Sequence, residues 1–544
     1  MVWKTNRLVG FLLFFWCGSM TTAFSLLPSR GASLAHVIRQ NNDIRFPATV
    51  DDAVESSTEQ SMVGTVTFWI PSSSQLSKFG AKSPVGNPLL IDAVQHLAQK
   101  VNWMAENRLQ VTVITTKDVP HPQVLETDVL LAIGLHSETD LASAQNIFQQ
   151  RYRQRQNRQC QLALDCSSSA LPAFVGPYDP QNPSLAAQYI PWSQDASGKR
   201  MYERMSDILQ RWTSDEFCYA ILLFLNQYSG HTIPWVQHTT EATWEKGLLR
   251  NAQEFYGIVS KCPNCLLACA QEPSCRECIN VLGSIDARDQ VASYRAIVSY
   301  ESEALKQFSL CIMTKHNVFD CHATIPTFPK VSAVTTWRGK PLTVVDGKAI
   351  LVGHLDDASA PDGSRRTDVS WKVACGANVA YDQFPCQNQV FYPQGSQNMW
   401  YDPVFRVQTL DGRDVWCHRH YRVRPQPQQP GVFRLSVLDN GVTSDELWHL
   451  VGVADDLSWA CFHYAGAASA VGLQYTGGLL CTPDGRLPQG SAFEEAVACL
   501  QRAGIAPWEL MVVDNDPASP GAVRAGSPPL NIYRSKSQQV QFQS

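Results

Sequence analysis

Hydrophobic and polar positions alternate in short runs along the C-terminal half of the chain. This alternation, broken by turn residues such as Asp411-Gly412, is typical of antiparallel strands. The runs cover residues 371–375, 388–392, 402–409, 415–423, 431–438, 446–453, 458–464 and 474–480. About eight short strands at this spacing favour an antiparallel barrel or sandwich. A barrel of about eight strands is wide enough to hold one small ligand, and strand number alone leaves a filled core equally open.

The N-terminal half shows a different pattern over residues 61–235, where β-branched runs alternate with apolar residues at helical spacing. The predicted strands are 65–70, 109–115 and 127–133, and the predicted helices are 89–103, 143–153 and 199–212. This alternation favours an α/β domain with a parallel sheet. The most apolar run, 217–225, is too short to span a bilayer and predicts a buried helix. Neither Gly-x-x-x-x-Gly-Lys nor Gly-x-Gly-x-x-Gly after a strand occurs, so the sequence indicates no nucleotide site.

Cysteines concentrate in residues 236–322, which we call the Cys-rich module. Of 17 cysteines in the chain, seven fall there: Cys262, Cys265, Cys269, Cys275, Cys278, Cys311 and Cys321. This density predicts disulfides in an oxidising compartment, or a metal site. Two short helices stapled by disulfides fit the spacing, because Cys265 and Cys269 share one face of a helix. We expect these seven cysteines to form disulfides and to bind no metal. Because seven is an odd number, one of them stays unpaired unless it bonds to a cysteine elsewhere, such as Cys160, Cys166 or Cys218. Zinc is the alternative, since Cys-x-x-Cys occurs twice.

Composition narrows the class of protein. The chain is 44% hydrophobic and 17% charged, with a net charge of −5. These values fit a globular protein and give no basic surface for nucleic acid. Residues 323–366 are predicted to be a linker, 493–504 an amphipathic helix and 508–513 a last strand-like piece. Residues 517–544 are rich in Pro, Ser, Gln and Gly, which predicts a disordered tail.

The first 60 residues read as a targeting segment. Residues 1–23 carry basic residues and then a short apolar stretch, as in a signal peptide. Residues 24–60 begin with a Ser- and Arg-rich stretch free of acids, like a plastid transit peptide. The junction Ala23-Phe24 resembles the two-part presequence of algae with complex plastids. We therefore expect a plastid location, with the thylakoid lumen or membrane surface as the finer alternatives and ordinary secretion as the rival.

Longer motifs carry a resemblance to a known family. Trp371-Lys372-Val373 and residues 378–386, 400–407 and 438–441 resemble the lipocalin domain of the violaxanthin de-epoxidase family. Residues 455–459 and 475–485 (YTGGLLCTPDG) resemble its violaxanthin de-epoxidase-related branch. The resemblance covers roughly residues 255–516. It implies a lipocalin-like barrel over 367–516, preceded by a cysteine-rich module linked to redox control.

The predicted fold class is therefore α+β and multidomain. It combines an N-terminal α/β domain, a disulfide-stapled Cys-rich helical module and a C-terminal lipocalin-like, eight-stranded antiparallel β-barrel. The resemblance implies that the substrate is a xanthophyll epoxide whose oxygen is removed as water. It also implies ascorbate as a co-substrate, with no bound cofactor.

Opening an epoxide requires a proton on its oxygen, and a carboxylic acid in an apolar pocket suits this role because burial raises its pKa. By the resemblance, Glu446 stands where the family has its aspartate acid, Tyr464 matches the tyrosine facing that acid, and Asp382 matches an acid near the entrance. We expect these three to be catalytic. Asp445 and Glu446 alternate across a strand, so only one of them points inward. A solvated charge is the alternative for Glu446.

Aromatic residues of the same strands are the predicted ligand-binding set: Trp371, Phe391, Trp400, Phe405 and Trp448. For Trp371 the resemblance implies mainly a packing role. The chain departs from the family at Gln389, Tyr392 and Pro385, where the family carries titrating residues. A histidine-driven acid switch is therefore predicted to be lost. The last family cysteine is also missing, which leaves the partner of Cys386 open.

Three functions compete at this point. The first is an enzyme acting on xanthophyll epoxides by ascorbate-dependent reduction or by rearrangement. The second is a lipocalin that binds a carotenoid or another apolar ligand without chemistry. The third is a thiol-based redox regulator built on the Cys-rich module. A xanthophyll is the expected partner, with the thylakoid membrane surface as a further one and no nucleic acid.

Overall fold

The computed structural model describes residues 62, 64–118, 123–167, 171–190, 193–231, 233, 236, 248–283, 285, 289–355, 369–394 and 398–516. The predicted signal peptide, the transit-like segment and the predicted tail lie outside these residues. Every element described below belongs to the unit Val63–Ser544, which is called the second unit here.

The strands and helices of the second unit are numbered here in chain order. The strands are β1 Gly64–Ile70, β2 Leu109–Thr115, β3 Val129–Ile133, β4 Cys160–Leu164, β5 Phe174–Val175, β6 Thr336–Trp337, β7 Lys340–Pro341, β8 Trp371–Gly376, β9 Asn388–Gln394, β10 Asn398–Gln408, β11 Asp414–His418, β12 Tyr421–Gln426, β13 Gln429–Asp439, β14 Val442–Val453, β15 Ala460–Ala468, β16 Leu473–Thr482 and β17 Met511–Val512. The helices are α1 Leu90–Met104, α2 Gln123–Glu126, α3 Glu138–Arg153, α4 Leu185–Tyr189, α5 Gln194–Leu209, α6 Ser214–Phe224, α7 Leu248–Lys261, α8 Pro263–Gln271, α9 Pro273–Leu282, α10 Gln290–Ser299, α11 Glu303–Ser309, α12 Val344–Val352, α13 Val379–Asp382 and α14 Ser491–Arg502.

The N-terminal domain is an α/β unit, as predicted, and its elements form three layers. Its sheet has the order β2-β1-β3-β4-β5, with the first four strands parallel and β5 antiparallel to β4. Helices α1, α5 and α6 pack on one face and α3 on the other. Every residue of β3 is buried, as expected for a parallel strand covered on both faces. The apolar run 217–225 forms most of the buried helix α6 and the first residue of the π-helical turn that follows it.

The C-terminal domain is a closed antiparallel barrel of eight strand positions. Strand β8 pairs with β9, the chain of pairs continues through β10 and β12 to β16, and β16 returns to β8. The predicted strand 415–423 is two strands, β11 and β12, which share one position beside β10. Pro403 of β10 lies opposite the break, and it has no N–H to donate to a ladder. This confirms the predicted eight-stranded barrel and corrects its fourth strand.

One end of the barrel is closed by the segment that the sequence predicted as a linker. Within its described part, 323–355, helix α12 places Ile350 and Leu351 in the barrel core. Trp371 is fully buried there and donates its indole N–H to the Ile350 carbonyl oxygen at 2.9 Å. The chain before the barrel therefore forms a plug at this end.

Helix α10 of the Cys-rich module covers part of the opposite end. The Tyr294 ring packs against Phe384 and Phe405 at centroid distances of 5.6 and 5.7 Å. Arg295 Nε donates to the Gln408 carbonyl oxygen at 2.7 Å. The module is therefore docked on the barrel rim.

Two disulfides hold the helices of the Cys-rich module. Cys262 at the start of α8 is bonded to Cys311 after α11, and Cys269 is bonded to Cys275 across the α8–α9 turn. Cys265, Cys278 and Cys321 take no part in these two bonds. Cys262, Cys311 and His316 bring three metal-ligating atoms within 4.8 Å of one another. Because the two sulfurs are bonded to each other, His316 is the one donor of that group left for a metal.

A buried ion pair joins the α/β domain to the segment after the barrel. Lys100 of α1 contacts Glu509 at 2.5 Å and Asp215 at 2.9 Å, and His96 Nε2 lies 2.8 Å from Glu509. Burial alone would raise the pKa of Glu509, but Lys100 and His96 hold that pKa well below its ordinary value. The two domains are thus fixed to each other by charge as well as by packing.

No helix in the described parts of the chain is both long and apolar enough to cross a membrane.

We predict that Glu509→Gln lowers the free energy of unfolding by about 3 kcal/mol, because it leaves a buried cation short of a partner. Since the pKa of folded Glu509 is depressed, the stabilisation it gives is present above the ordinary carboxylate range and is lost as the pH falls. Urea unfolding at pH 7.5 and at pH 4 measures both effects. The exposed residue Glu495 provides the control, Glu495→Gln; equal stability of the two variants at pH 7.5 would contradict the prediction.

A candidate active site inside the barrel

The barrel encloses a cavity of about 220 Å³ at the end that α10 covers. Its lining is mostly aromatic, with Glu446, Arg419 and Asp439 as charged members. The floor is filled by the barrel's own rings: Phe391 stacks on Tyr401 at 4.4 Å, and Trp448 meets Tyr401 at 5.3 Å. The cavity is therefore a shallow chamber above a packed aromatic floor.

Glu446 points into this chamber. It is 6% exposed, whereas the side chain of its neighbour Asp445 is 47% exposed and lies 3.8 Å from Arg434. Trp448 donates its indole N–H to Glu446 Oε2 at 2.6 Å, and Tyr475 donates its hydroxyl to Oε1 at 2.7 Å. Both carboxyl oxygens are thus held in place, and the solvated alternative for Glu446 does not describe this structure.

The strand register explains how Tyr475 reaches Glu446. Glu446 lies opposite Gly466, and Gly466 lies opposite Tyr475, so the three residues form one row across β14, β15 and β16. A Cβ atom added to Gly466 would lie 2.4 Å from the Tyr475 ring. Because the middle residue has no side chain, the tyrosine leans across a whole strand to the carboxyl group.

The next inward-facing row has the same pairing of a tyrosine with a glycine, but here the tyrosine is on β15 and the glycine on β16. It contains Trp448, Tyr464 and Gly477. Tyr464 leans over Gly477, where an added Cβ would lie 2.4 Å from its ring, and it stacks on Trp448 at 5.4 Å. Each row therefore has one glycine that makes room for one tyrosine.

Burial dominates the electrostatics of Glu446. Desolvation raises its pKa above the ordinary value, while the hydrogen bonds from Trp448 and Tyr475 favour the charged form and pull the pKa back. A carboxyl group with this balance holds its proton at a higher pH than a solvated one. The site can therefore deliver a proton to a ligand in the chamber.

The other two predicted catalytic residues occupy different positions. Tyr464 lines the chamber, but it lies beside Trp448, and its hydroxyl is paired with the Asn378 side chain. Asp382 is 3% exposed and lies behind the wall, where its Oδ2 accepts the Asn378 backbone N–H at 2.6 Å. Burial raises the pKa of Asp382 to about 8. Asp382 thus supports Asn378, which in turn holds Tyr464.

The predicted ligand-binding aromatics divide into three groups. Trp448 and Phe405 line the chamber. Phe391 lies in the floor, and Trp371 lies in the core at the closed end. Trp400 stacks on His420 at 4.1 Å, on the strand face opposite its inward-facing neighbours Met399 and Tyr401. The structure therefore brings two of the five to the chamber.

Sequence reasoning missed Tyr475 and Asn378. Both lie in segments that carry the family resemblance, and alternation along β16 already placed Tyr475 on the face of Gly477 and Leu479. Its contact with Glu446 depends on the register of three strands, which no local pattern gives. Gln389, at a departure from the family, accepts a hydrogen bond from the Tyr401 hydroxyl and belongs to the floor. Cys386 is a buried thiol in the structure.

One comparison with known protein families found a match to part of this chain. A family model described as "VDE lipocalin domain" matches residues 254–515. No curated protein sequence matches the chain.

Several solved structures are similar to part of this chain. Apocrustacyanin C2 is 14% identical and covers 36% of this chain and 94% of its own, with a TM-score of 0.22. H1 crustacyanin from the lobster Homarus americanus is 12% identical over 36% of this chain and 94% of its own, with a TM-score of 0.22. The siderocalin Ex-FABP is 9% identical over 27% of this chain and 93% of its own, with a TM-score of 0.20.

We predict that Tyr475→Phe raises the pKa of Glu446 further, because it removes a donor that favours the charged carboxylate. Infrared spectroscopy of protein carrying ¹³C-labelled glutamate follows the buried carboxyl group as the pH is varied. Tyr464→Phe is the matched control, since that hydroxyl is paired with Asn378. A titration of Glu446 that is the same in wild type and Tyr475→Phe would show that the hydrogen bond is not formed in solution.

Proposed function

We propose that this protein opens xanthophyll epoxides by acid catalysis inside its barrel. The match of residues 254–515 to the model of the violaxanthin de-epoxidase lipocalin domain supports this proposal. The observation that carries the proposal is the position of Glu446, a buried carboxyl group that faces an aromatic chamber of about 220 Å³. An epoxide on a ring held in the chamber would have its oxygen beside this acid.

The two partners of Glu446 decide which oxygen carries the proton. The indole N–H of Trp448 can only donate, so Oε2 always serves as its acceptor. The acidic proton therefore resides on Oε1, whose partner Tyr475 has a hydroxyl that can donate or accept. When Glu446 is neutral, Tyr475 turns its own hydrogen away. When Glu446 has given up its proton, Tyr475 donates to the carboxylate.

The reaction has two balanced forms. In the reductive form, the epoxide takes up two protons and two electrons, its two C–O bonds break, a C=C bond forms and the oxygen leaves as water. Ascorbate, oxidised to dehydroascorbate, would supply the two electrons and two protons as co-substrate, and Glu446 would relay one of those protons. In the rearrangement, Glu446 protonates the epoxide oxygen, one C–O bond breaks, and a proton lost from carbon returns to the carboxylate, with no net redox change.

Asp382 and Tyr464 would act as positioning residues in this scheme. Asp382 does not line the chamber, and its hydrogen bond fixes Asn378 at the rim. Asn378 in turn pairs with Tyr464, which stacks on Trp448, a donor to Glu446. This chain of contacts would keep the acid oriented without any of these residues handling the proton.

A second candidate function is binding without chemistry. The filled aromatic floor favours it, since stacked rings give an apolar ligand a large contact surface without any reacting group.

A further part of the proposal concerns location: the leader resembles plastid targeting segments, and an apolar substrate of this class would be collected at the thylakoid membrane surface.

We expect Glu446→Gln to lower turnover of violaxanthin by about 10²–10⁴-fold, because the amide is nearly isosteric but has no proton to transfer. Pigment binding, followed by the absorption spectrum, should survive. Wild-type activity should fall as the pH rises through the raised pKa of Glu446, since only the protonated form is active. Product formation with and without ascorbate separates reduction from rearrangement.

Asp445→Asn is the control for this experiment, as it changes the adjacent, half-exposed carboxylate on the other face of the strand. A Glu446→Gln variant with wild-type turnover would exclude Glu446 as the acid. Wild-type protein that binds violaxanthin and never converts it, with or without ascorbate, would leave the binding function.

A further inference from the structure

The chamber is smaller than the ligand that the proposed function requires. Cavities that bury drug-sized ligands measure roughly 300–1,000 Å³, whereas this one measures about 220 Å³. That space suits a single substituted ring. A xanthophyll has a ring at each end of a long polyene, so most of the molecule has to lie outside the chamber.

A larger space of about 730 Å³ adjoins it between the two domains, and we call this space the interdomain cleft. Its walls include Trp103 and Trp212 of the α/β domain, Phe328 of the segment before the barrel, His463 of the barrel wall, and Trp508 after α14. The α/β domain therefore supplies one side of the cleft and the barrel supplies the other.

The chamber and the cleft share three residues. Gln290 at the start of α10, Asn378 at the rim and Tyr475 of β16 line both spaces. Tyr475 is also the residue whose hydroxyl holds Glu446. A molecule with one ring beside Glu446 therefore meets the cleft as soon as it passes Tyr475.

The chemistry of the cleft suits an apolar chain although charged residues line it. Lys100 is neutralised by Asp215 and Glu509, and Arg211 is paired with Glu216 at 2.9 Å. Over the whole lining, five basic residues are matched by five acidic residues, so the cleft has no net formal charge. Indole rings from three separate segments offer flat apolar faces of the kind that stack on conjugated systems.

His463 adds no charge to the barrel side of the cleft. It is 2% exposed, and neither ring nitrogen has a hydrogen-bond partner among the residues that the structure describes. Burial, together with His449 and Lys100, lowers its pKa to about 3, so the imidazole is neutral near pH 7. The wall that the chain would follow out of the barrel is therefore uncharged.

We propose that the interdomain cleft holds the polyene of the xanthophyll whose end ring occupies the barrel chamber, which makes the α/β domain part of the ligand-binding site. This inference rests on the proposed function for the identity of the ligand. It assigns a role to the N-terminal domain, which the family match does not cover.

The test compares the binding affinity for a complete xanthophyll with the affinity for a small molecule that contains only its end ring. The probes are violaxanthin and 5,6-epoxy-β-ionone, a small molecule with the same epoxide ring and no long polyene. Thr476 is half-buried on β16 and lines the cleft but not the chamber, so Thr476→Trp fills the cleft with an indole. Thr443 is an exposed threonine of β14 outside both linings, and Thr443→Trp is the matched control.

We expect Thr476→Trp to weaken violaxanthin binding at least tenfold and to change the affinity for epoxy-ionone less than twofold, while Thr443→Trp changes neither. Retained epoxy-ionone binding also shows that the barrel of the variant is folded. Unchanged violaxanthin affinity in Thr476→Trp, or an equal loss for both probes, would overturn the cleft assignment and leave the proposed function standing. If wild-type protein binds neither probe, the proposed function itself fails.

Discussion

The burial of one carboxyl group is the constraint on which the barrel site depends. Glu446 is removed from water inside an aromatic chamber, and such a group is costly unless it is neutral or hydrogen-bonded. Trp448 and Tyr475 provide the hydrogen bonds, and the surroundings favour the neutral form. The two requirements oppose each other, because donors stabilise the anion and burial stabilises the acid. A group held between two charge states in this way is well placed to exchange a proton.

The glycine rows show how the barrel accommodates this group. Side chains inside a small barrel normally fill it completely. Here Gly466 and Gly477 leave gaps that Tyr475 and Tyr464 occupy from the side, so that space remains above Glu446. The fixed position of the α/β domain continues this space beyond the rim. The buried pair Lys100–Glu509 holds that domain against the segment that follows α14.

Local sequence pattern was sufficient for much of the fold. Alternation located the barrel strands, and the buried helix α6 followed from one apolar run. Local pattern could not predict features that depend on contacts between residues far apart in the sequence. Pro403 of β10 lies opposite the gap between β11 and β12. This position is known only once the pairing register of the strands is known. Residues 344–352 resembled a connector because nothing local shows that they pack into the core. The disulfide pairs also follow from helix packing, since spacing alone allows many pairings.

The plug at one end of the barrel has a consequence for molecules that are alike at both ends. A barrel that is closed at one end admits one terminus of a ligand at a time, and the ligand has to leave through the same open end. A pigment with an epoxide on each terminal ring would need to withdraw, turn around and enter again before its second ring met the acid. Under the proposed function, pigment converted at one ring would then be released as an intermediate, at a level set by the competition between re-entry and escape.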